Sequence, residues 1–181
     1  MSRYVVLLRG INVGSRRRVA MADLRGLISS AGYGDVRTHL QSGNILLDSD
    51  SSPAALSADL ERQLLDGLGM ELRVVVRSRA ELADVIARDP LAGVVDDPKR
   101  YQVSFLSDAL DERRTRELGV ADLAPELLVL SGREIFSWHP QGIHASKLAK
   151  LLTDQRLGVT VTARNWNTVI ALHELARGSS L

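Results

Sequence analysis

Three observations predict an α/β protein in which one plan is used twice. Short apolar runs alternate with leucine stripes at helical spacing; the first half follows the order β-α-β-β-α-β; and a Ser-Gly turn between two apolar runs recurs in the second half. That order belongs to the split βαβ arrangement called ferredoxin-like. The expected fold is therefore α/β (α+β), with two ferredoxin-like βαββαβ-type halves, related by internal duplication and packed as one compact unit.

Each element of the first half has its own signal. Residues 4–8 form a continuous apolar run, short enough for a strand buried on both faces. After an arginine-loaded loop, Met21, Leu24, Leu27, Ile28 and Ala31 recur at helical spacing; the helix should start near Val19 or Ala20 and close at Gly32 or Gly34. Val36, Thr38 and Leu40 alternate with Arg37, His39 and Gln41, which describes a strand with one wet face, and Ser42-Gly43-Asn44 turns the chain into a strand at residues 45–47. Ser52-Pro53 pairs an N-cap with proline at the first helical position, Leu56, Leu60, Leu64 and Leu68 make the stripe, and Gly67 and Gly69 end it. Leu72, Val74 and Val76 supply the next strand, and Ser78 with Glu81 has capping-box spacing for a helix to about Arg88.

Asp96-Asp97-Pro98 interrupts this pattern and divides the chain into an N-terminal half, residues 1–95, and a C-terminal half, residues 96–181. Tyr101, Val103 and Phe105 alternate as a strand, a charged helix follows from about Asp108 to Leu118, and two apolar runs, 126–130 and 134–138, flank Ser131-Gly132. The string Leu130-Ser131-Gly132-Arg133-Glu134-Ile135 echoes Gln41-Ser42-Gly43-Asn44-Ile45-Leu46 at the same step of the order, hence the expected duplication. Leu148, Leu151 and Leu152 mark a helix from near Ser146, Val159 and Val161 a short last strand, and Trp166, Val169, Ile170 and His173 one face of a terminal helix.

The 181 residues, 45% hydrophobic and 25% charged, have the composition of an ordinary soluble globular protein. No apolar run approaches the roughly 18 residues of a membrane span, and Met1-Ser2-Arg3-Tyr4 leads straight into a strand without a cleavage pattern, so a cytoplasmic protein without membrane contact is expected. The absence of cysteine excludes disulfides, thiolate metal sites and cysteine nucleophiles. Net charge is only +1, yet residues 1–40 hold Arg3, Arg9, Arg16, Arg17, Arg18, Arg25 and Arg37 against Asp23 and Asp35, a local +5 that fits either an anionic partner or, as is more common, a set of solvated arginines.

That charge concentrates in the stretch Leu7-Leu8-Arg9-Gly10-Ile11-Asn12-Val13-Gly14-Ser15-Arg16-Arg17-Arg18. Gly10 and Gly14 permit positive φ and close approach to a ligand, and the loop feeds a helix N-terminus, whose open N–H groups favour an anion. Arg9, Arg16 and Arg17 are the candidate charged contacts, with Asn12 beside them. The spacing is neither the G-x-G-x-x-G of dinucleotide sites nor the G-x-x-x-x-G-K-[ST] phosphate loop. The plainer alternative is a structural turn in which Asn12 bonds the backbone. The second candidate group is Arg164, Asn165 and Asn167, the asparagines as donors and Arg164 as an anion partner; the plainer reading makes Asn165 an N-cap and Trp166 core. Lys147, after the N-cap Ser146, is a further candidate phosphate contact, the plainer reading being an exposed helix lysine.

His39, His139, His144 and His173 show no ligand spacing, so no metal and no cofactor are expected. No G-x-S-x-G elbow is present. Nucleic acid is the rival partner, through Arg16, Arg17 and Arg18 on the phosphate backbone; with 4% aromatics, stacking recognition of single strands is disfavoured.

Five motifs taken together identify a resemblance. Leu7-Leu8-Arg9-Gly10-Ile11-Asn12-Val13-Gly14, Met21-Ala22-Asp23-Leu24, Gln41-Ser42-Gly43-Asn44, Gly142-Ile143 with Ser146-Lys147-Leu148, and Arg164-Asn165-Trp166-Asn167-Thr168 resemble, in order and spacing, the signature of the bacterial family called domain of unknown function 1697. The resemblance implies ferredoxin-like α/β units and no assigned activity. Ser15 stands where that family usually has glycine, and His144-Ala145 where a Gly-Arg pair is usual; if that arginine binds a ligand in the family, the site here is altered. The sequence thus supports a small phosphorylated or carboxylated ligand held where the loop of residues 9–18 meets residues 164–167, by a binding protein or an enzyme. The alternatives are weak nucleic-acid binding and an interaction module without a ligand.

Overall fold

The computed structural model describes residues 1–12 and 18–178. Val13, Ser15 and the candidate site residues Gly14, Arg16 and Arg17 lie outside the described residues. The chain divides into two compact units, Met1–Asp84 with Ala171–Leu181, and Val85–Ile170.

The first unit contains β1 (Ser2–Leu8), α1 (Met21–Ser30), β2 (Gly34–His39), β3 (Asn44–Ser49), α2 (Pro53–Leu68) and β4 (Val74–Ser78). Its sheet has the order β2-β3-β1-β4, with β1 antiparallel to β3 and to β4, so that Val6 lies between Ile45 and Val76. Tyr4, Val6 and Leu8 point to the helix-covered face and pack with Leu24 and Ile28 of α1 and Leu56, Leu60 and Leu64 of α2. Val5 and Leu7, on the opposite face, are equally buried, which is why the run lacks polar alternation. Each such leucine, taken from water, contributes about 1.5–3 kcal/mol.

The local signals act as their chemistry requires. Ser52 caps α2 by accepting from the Ala55 N–H at 3.3 Å, with Pro53 inside the first turn, and Gly69 ends the helix at φ 64°. Ser78 and Glu81 form a reciprocal capping box at the start of the next helix, α3 (Arg79–Arg88): the Ser78 N–H donates to Glu81 Oε2 at 2.7 Å and the Glu81 N–H to Ser78 Oγ at 3.2 Å. Two expectations are corrected. Gly67 does not end α2; it lies inside the helix, where a Cβ would fall 2.4 Å from Leu27 Cδ1, so it permits close packing on α1. Leu40 lies beyond β2 in a turn at φ 59°, and its side chain is exposed.

The second unit carries β5 (Tyr101–Leu106), α4 (Glu112–Gly119), β6 (Leu127–Ser131), β7 (Glu134–Trp138), a single 3-10 turn at Ile143–Ala145, α5 (Lys147–Leu151), α6 (Asp154–Leu157) and β8 (Val161–Asn165). The last helix, α7 (Trp166–Arg177), follows directly. The sheet order β6-β7-β5-β8 repeats that of the first unit position for position. The repetition reaches single hydrogen bonds. At the end of β1, the Leu8 N–H donates to Gly43 O at 2.8 Å and the Arg9 N–H to Arg73 O at 2.9 Å; at the end of β5, the Leu106 N–H donates to Arg133 O and the Ser107 N–H to Thr160 O, both at 2.9 Å. Gly43 and Gly132 both have positive φ, 75° and 64°, but the strand-end bonds match Gly43 with Arg133, so the sequence echo is offset by one residue from the structural repeat. α4 starts later than expected, at Glu112, because Asp111 rather than Asp108 is its cap.

Candidate functional site

In the first unit, the β1–α1 loop and the β2–β3 turn form one corner. Beyond Leu8 the chain enters left-handed backbone at Gly10 (φ 73°) and again at Asn12 (φ 55°), a conformation glycine and asparagine tolerate best. Asn12 then ties three strands of chain together. Its Nδ2 donates to Val19 O at 3.2 Å and to Gln41 O at 2.8 Å, and its Oδ1 accepts from the Val19 N–H at 2.8 Å. Gly43 lies so close that a Cβ would fall 2.4 Å from Ile11 Cγ2 and 2.8 Å from Leu8 Cβ. Asn44, fully buried, donates from Nδ2 to His39 O at 2.7 Å and to Ser42 Oγ at 3.0 Å. Two motifs about thirty residues apart in sequence are thus one piece of structure, and both amide hydrogens of Asn12 are engaged within it.

This corner delivers the chain to α1. Ala20 is the N-cap residue there and contributes no side-chain hydrogen bond, and Asp23 is the only acidic residue in the first turn. At the equivalent helix of the second unit, α4, the Asp111 carboxylate accepts from the Arg114 N–H at 2.8 Å. Arg9 is half-buried, and Arg18 is exposed.

The remaining candidates belong to the second unit. Arg164, on β8 opposite Val103, is buried; its Nη1 donates to Thr162 Oγ1 at 2.7 Å and Ala163 O at 2.8 Å. Burial pushes the Arg164 guanidinium down to about 10, because the charged form loses hydration. Asn165 caps α7, its Oδ1 accepting from the Thr168 N–H at 2.9 Å and from the Thr168 hydroxyl at 3.0 Å. Trp166 stacks on Tyr101 with ring centroids 4.8 Å apart, and Asn167 is exposed. Lys147, at the start of α5, is exposed beside a cavity of about 50 Å³ that Glu126, Gly142 and Ser146 also line. The loop of residues 9–18 and the segment 164–167 belong to different units.

Sequence reasoning missed one polar cluster. His139, almost fully buried, places Nδ1 3.0 Å from Glu126 Oε1 and 2.9 Å from Ser146 Oγ, and Nε2 3.0 Å from Ser137 Oγ. Glu126 Oε2 also accepts from the Leu148 N–H at 2.9 Å, and Ser146 Oγ from the Ala149 N–H at 2.7 Å. Desolvation pushes the Glu126 carboxyl up, but the hydrogen bonds from Ser146, the Leu148 N–H and His139 outweigh it and hold the group below the ordinary glutamate value. The residue types invite comparison with a serine-histidine-acid triad, which the geometry rejects. The acid and Ser146 share Nδ1, and the serine on Nε2, Ser137, has no exposed surface from which to attack a substrate. The cluster instead fastens β7, the approach to β6 and the start of α5. Its only local signal was the N-cap position of Ser146. Among the described residues no group of three His, Asp or Glu side chains could hold a metal ion, and no helix is long and apolar enough to cross a membrane.

Two units of one strand order, the first with Asn12 bonded to Val19 ahead of a helix whose N-cap residue, Ala20, supplies no side-chain bond, define a duplicated ferredoxin-like α/β protein. The chain belongs to the family described as protein of unknown function (DUF1697), whose sequence profile matches residues 1–136. It is similar over 97% of its length, and over 98% of the other chain, to the conserved bacterial protein SP0830 from Streptococcus pneumoniae, at 25% identity and a TM-score of 0.79. No curated protein matches it.

Proposed function

We propose that the protein binds a small anionic molecule, phosphorylated or carboxylated, where the loop of residues 9–18 runs into α1. The observation that carries this reading is the difference between two copies of one connection. From β5 to α4 the chain needs only residues 107–111; from β1 to α1 it takes residues 9–20, although the hydrogen bonds closing the two strand ends are the same. The fold is served by the short version. The additional length carries Gly10, Gly14, Arg16, Arg17 and Arg18.

The second unit also supplies the chemical analogue. There a carboxylate, Asp111, occupies the N-terminus of the helix, whereas at α1 the corresponding cap is Ala20. A ligand carboxylate or phosphate takes at α1 the place that Asp111 holds at α4. The helix dipole contributes about 0.3–1 kcal/mol to such an anion, and each desolvated hydrogen bond from Arg9, Arg16 or Arg17 about 1.5–3 kcal/mol. Asp23 opposes it by like charge. Inorganic phosphate, nucleotides, sugar phosphates or small carboxylates should raise the melting temperature, Arg9→Ala should abolish the rise, and Asp23→Asn should enlarge it. No response across such a panel refutes the proposal. Nucleic-acid backbone binding by Arg16–Arg18 is the competing use of the same arginines; Tyr4, Tyr101, Phe105, Phe136 and Trp138 are all buried and offer it no stacking surface.

A further inference from the structure

The duplication provides an internal control for the helix layer. In the first unit the sheet is covered by α1, ten residues, and α2, sixteen residues, and the buried side chains form a continuous core. In the second unit the place of the long helix is taken by α5, five residues, and α6, four residues. The break falls at Leu152, whose backbone leaves the helical region, and Thr153 starts α6 by capping it. Leu151, Leu152 and Val159 are consequently only half-buried where they pack against Leu106, Leu118, Ile135 and Leu157.

The break opens a cavity of about 200 Å³ between α4 and the α5–α6 pair. Leu118, Leu151 and Leu157 form its apolar wall, and Arg114, Arg156 and Glu117 stand around it. The charges are not equivalent. Arg114 is held by Asp111 and by the carbonyl of Arg156 at the end of α6, and it crosses Gly158 so closely that a Cβ there would lie 2.5 Å from Nη2. Glu117 is paired with Arg113 at 3.8 Å. The exposed Arg156 guanidinium has no side-chain partner among the described residues. A cavity with a leucine wall, one fixed guanidinium and one unengaged guanidinium is complementary to a ligand with a short apolar tail and a single negative head group.

We propose that this cavity binds a medium-chain aliphatic carboxylate, its chain against Leu118, Leu151 and Leu157 and its carboxylate on Arg156. The site lies entirely within the second unit and is separate from the one proposed at α1. Calorimetric titration of the full chain with octanoate, octylamine and octanol tests it. Octanoate should bind saturably at millimolar or lower concentration and more tightly than the other two. Arg156→Ala should weaken octanoate binding about tenfold, the loss of one charge-assisted hydrogen bond. Ala121, a further lining residue, provides a variant that fills the space: Ala121→Leu should abolish octanoate binding while leaving the melting temperature of the unliganded protein unchanged or higher. The proposal is overturned by absent saturable binding, by octylamine binding as tightly as octanoate, by an unchanged affinity in Arg156→Ala, or by full binding in a folded Ala121→Leu protein, the last of which places the carboxylate elsewhere.

Discussion

Replacing Asn12 tests whether the signature corner is built as described. Asn12→Ala removes three hydrogen bonds at once, two to carbonyls of Val19 and Gln41 and one from the Val19 N–H, at 2.8–3.2 Å. With net contributions of about 0.5–1.5 kcal/mol each, their loss amounts to about 1.5–4.5 kcal/mol. The left-handed backbone at φ 55° adds about 1 kcal/mol, since alanine tolerates it less well than asparagine. Asn12→Gly removes that second contribution and isolates the hydrogen bonds. Asn12→Asp keeps the acceptor for Val19 but turns a carboxylate oxygen toward two carbonyls, so it should be about as damaging as alanine. Urea unfolding followed by far-ultraviolet circular dichroism gives the free energies, and amide exchange reports Val19 directly. Asn12→Ala within about 0.5 kcal/mol of the parent, together with unchanged exchange at Val19, would show that the clamp does not hold the loop.

Three further outcomes follow from the geometry. Gly43→Ala should destabilise the first unit by about 2 kcal/mol or more, because its Cβ meets Ile11 and Leu8 and its φ of 75° disfavours a side chain; melting curves unchanged from the parent would contradict the close approach. Glu126→Gln should destabilise by about 1–3 kcal/mol at neutral pH, since an amide nitrogen is placed among the donors His139 and Ser146. The folded carboxyl lies below the ordinary glutamate value of 4.5, so its stabilisation is complete above that pH and is lost as pH falls through the folded value; the difference between parent and variant should therefore shrink only below about pH 4.5, and a constant difference down to acid unfolding would refute the assignment. Asn165→Ala should cost about 1 kcal/mol as a lost helix cap, whereas Asn167→Ala, at an exposed position, should leave unfolding unchanged; equal effects of the two would reject the N-cap role.

Much of the fold was legible because the signals were local. Ser52-Pro53, the Ser78–Glu81 box, Ser146 and Asn165 each act on an N–H three residues ahead, so spacing alone discloses them. The leucine stripe of α2 and the alternation of β5 are likewise readable from periods of about 3.6 and 2 residues. Gly67 was misread for the converse reason. Glycine near the end of a stripe looks like a stop, and only the approach of Leu27 from α1 shows that it is a contact. The candidate residues fared unevenly in the same way: Asn165 proved to be locally engaged, as its spacing allowed, while the bond from Asn12 to Gln41 had no sequence signal.

By itself, then, the sequence determined the order of the strands along the chain, the caps at Ser52, Ser78, Ser146 and Asn165, the repeated plan and the family, all of which rest on residues close in the chain or on a pattern of motifs. The tertiary structure decided what those motifs do for one another. It joined Asn12 to Gln41, gathered Glu126, Ser137, Ser146 and His139 into one buried cluster, and divided one helix layer into two short pieces that leave a cavity. Such contacts depend on strand register and loop path, which place side chains tens of residues apart within 3 Å, and no local periodicity encodes that meeting.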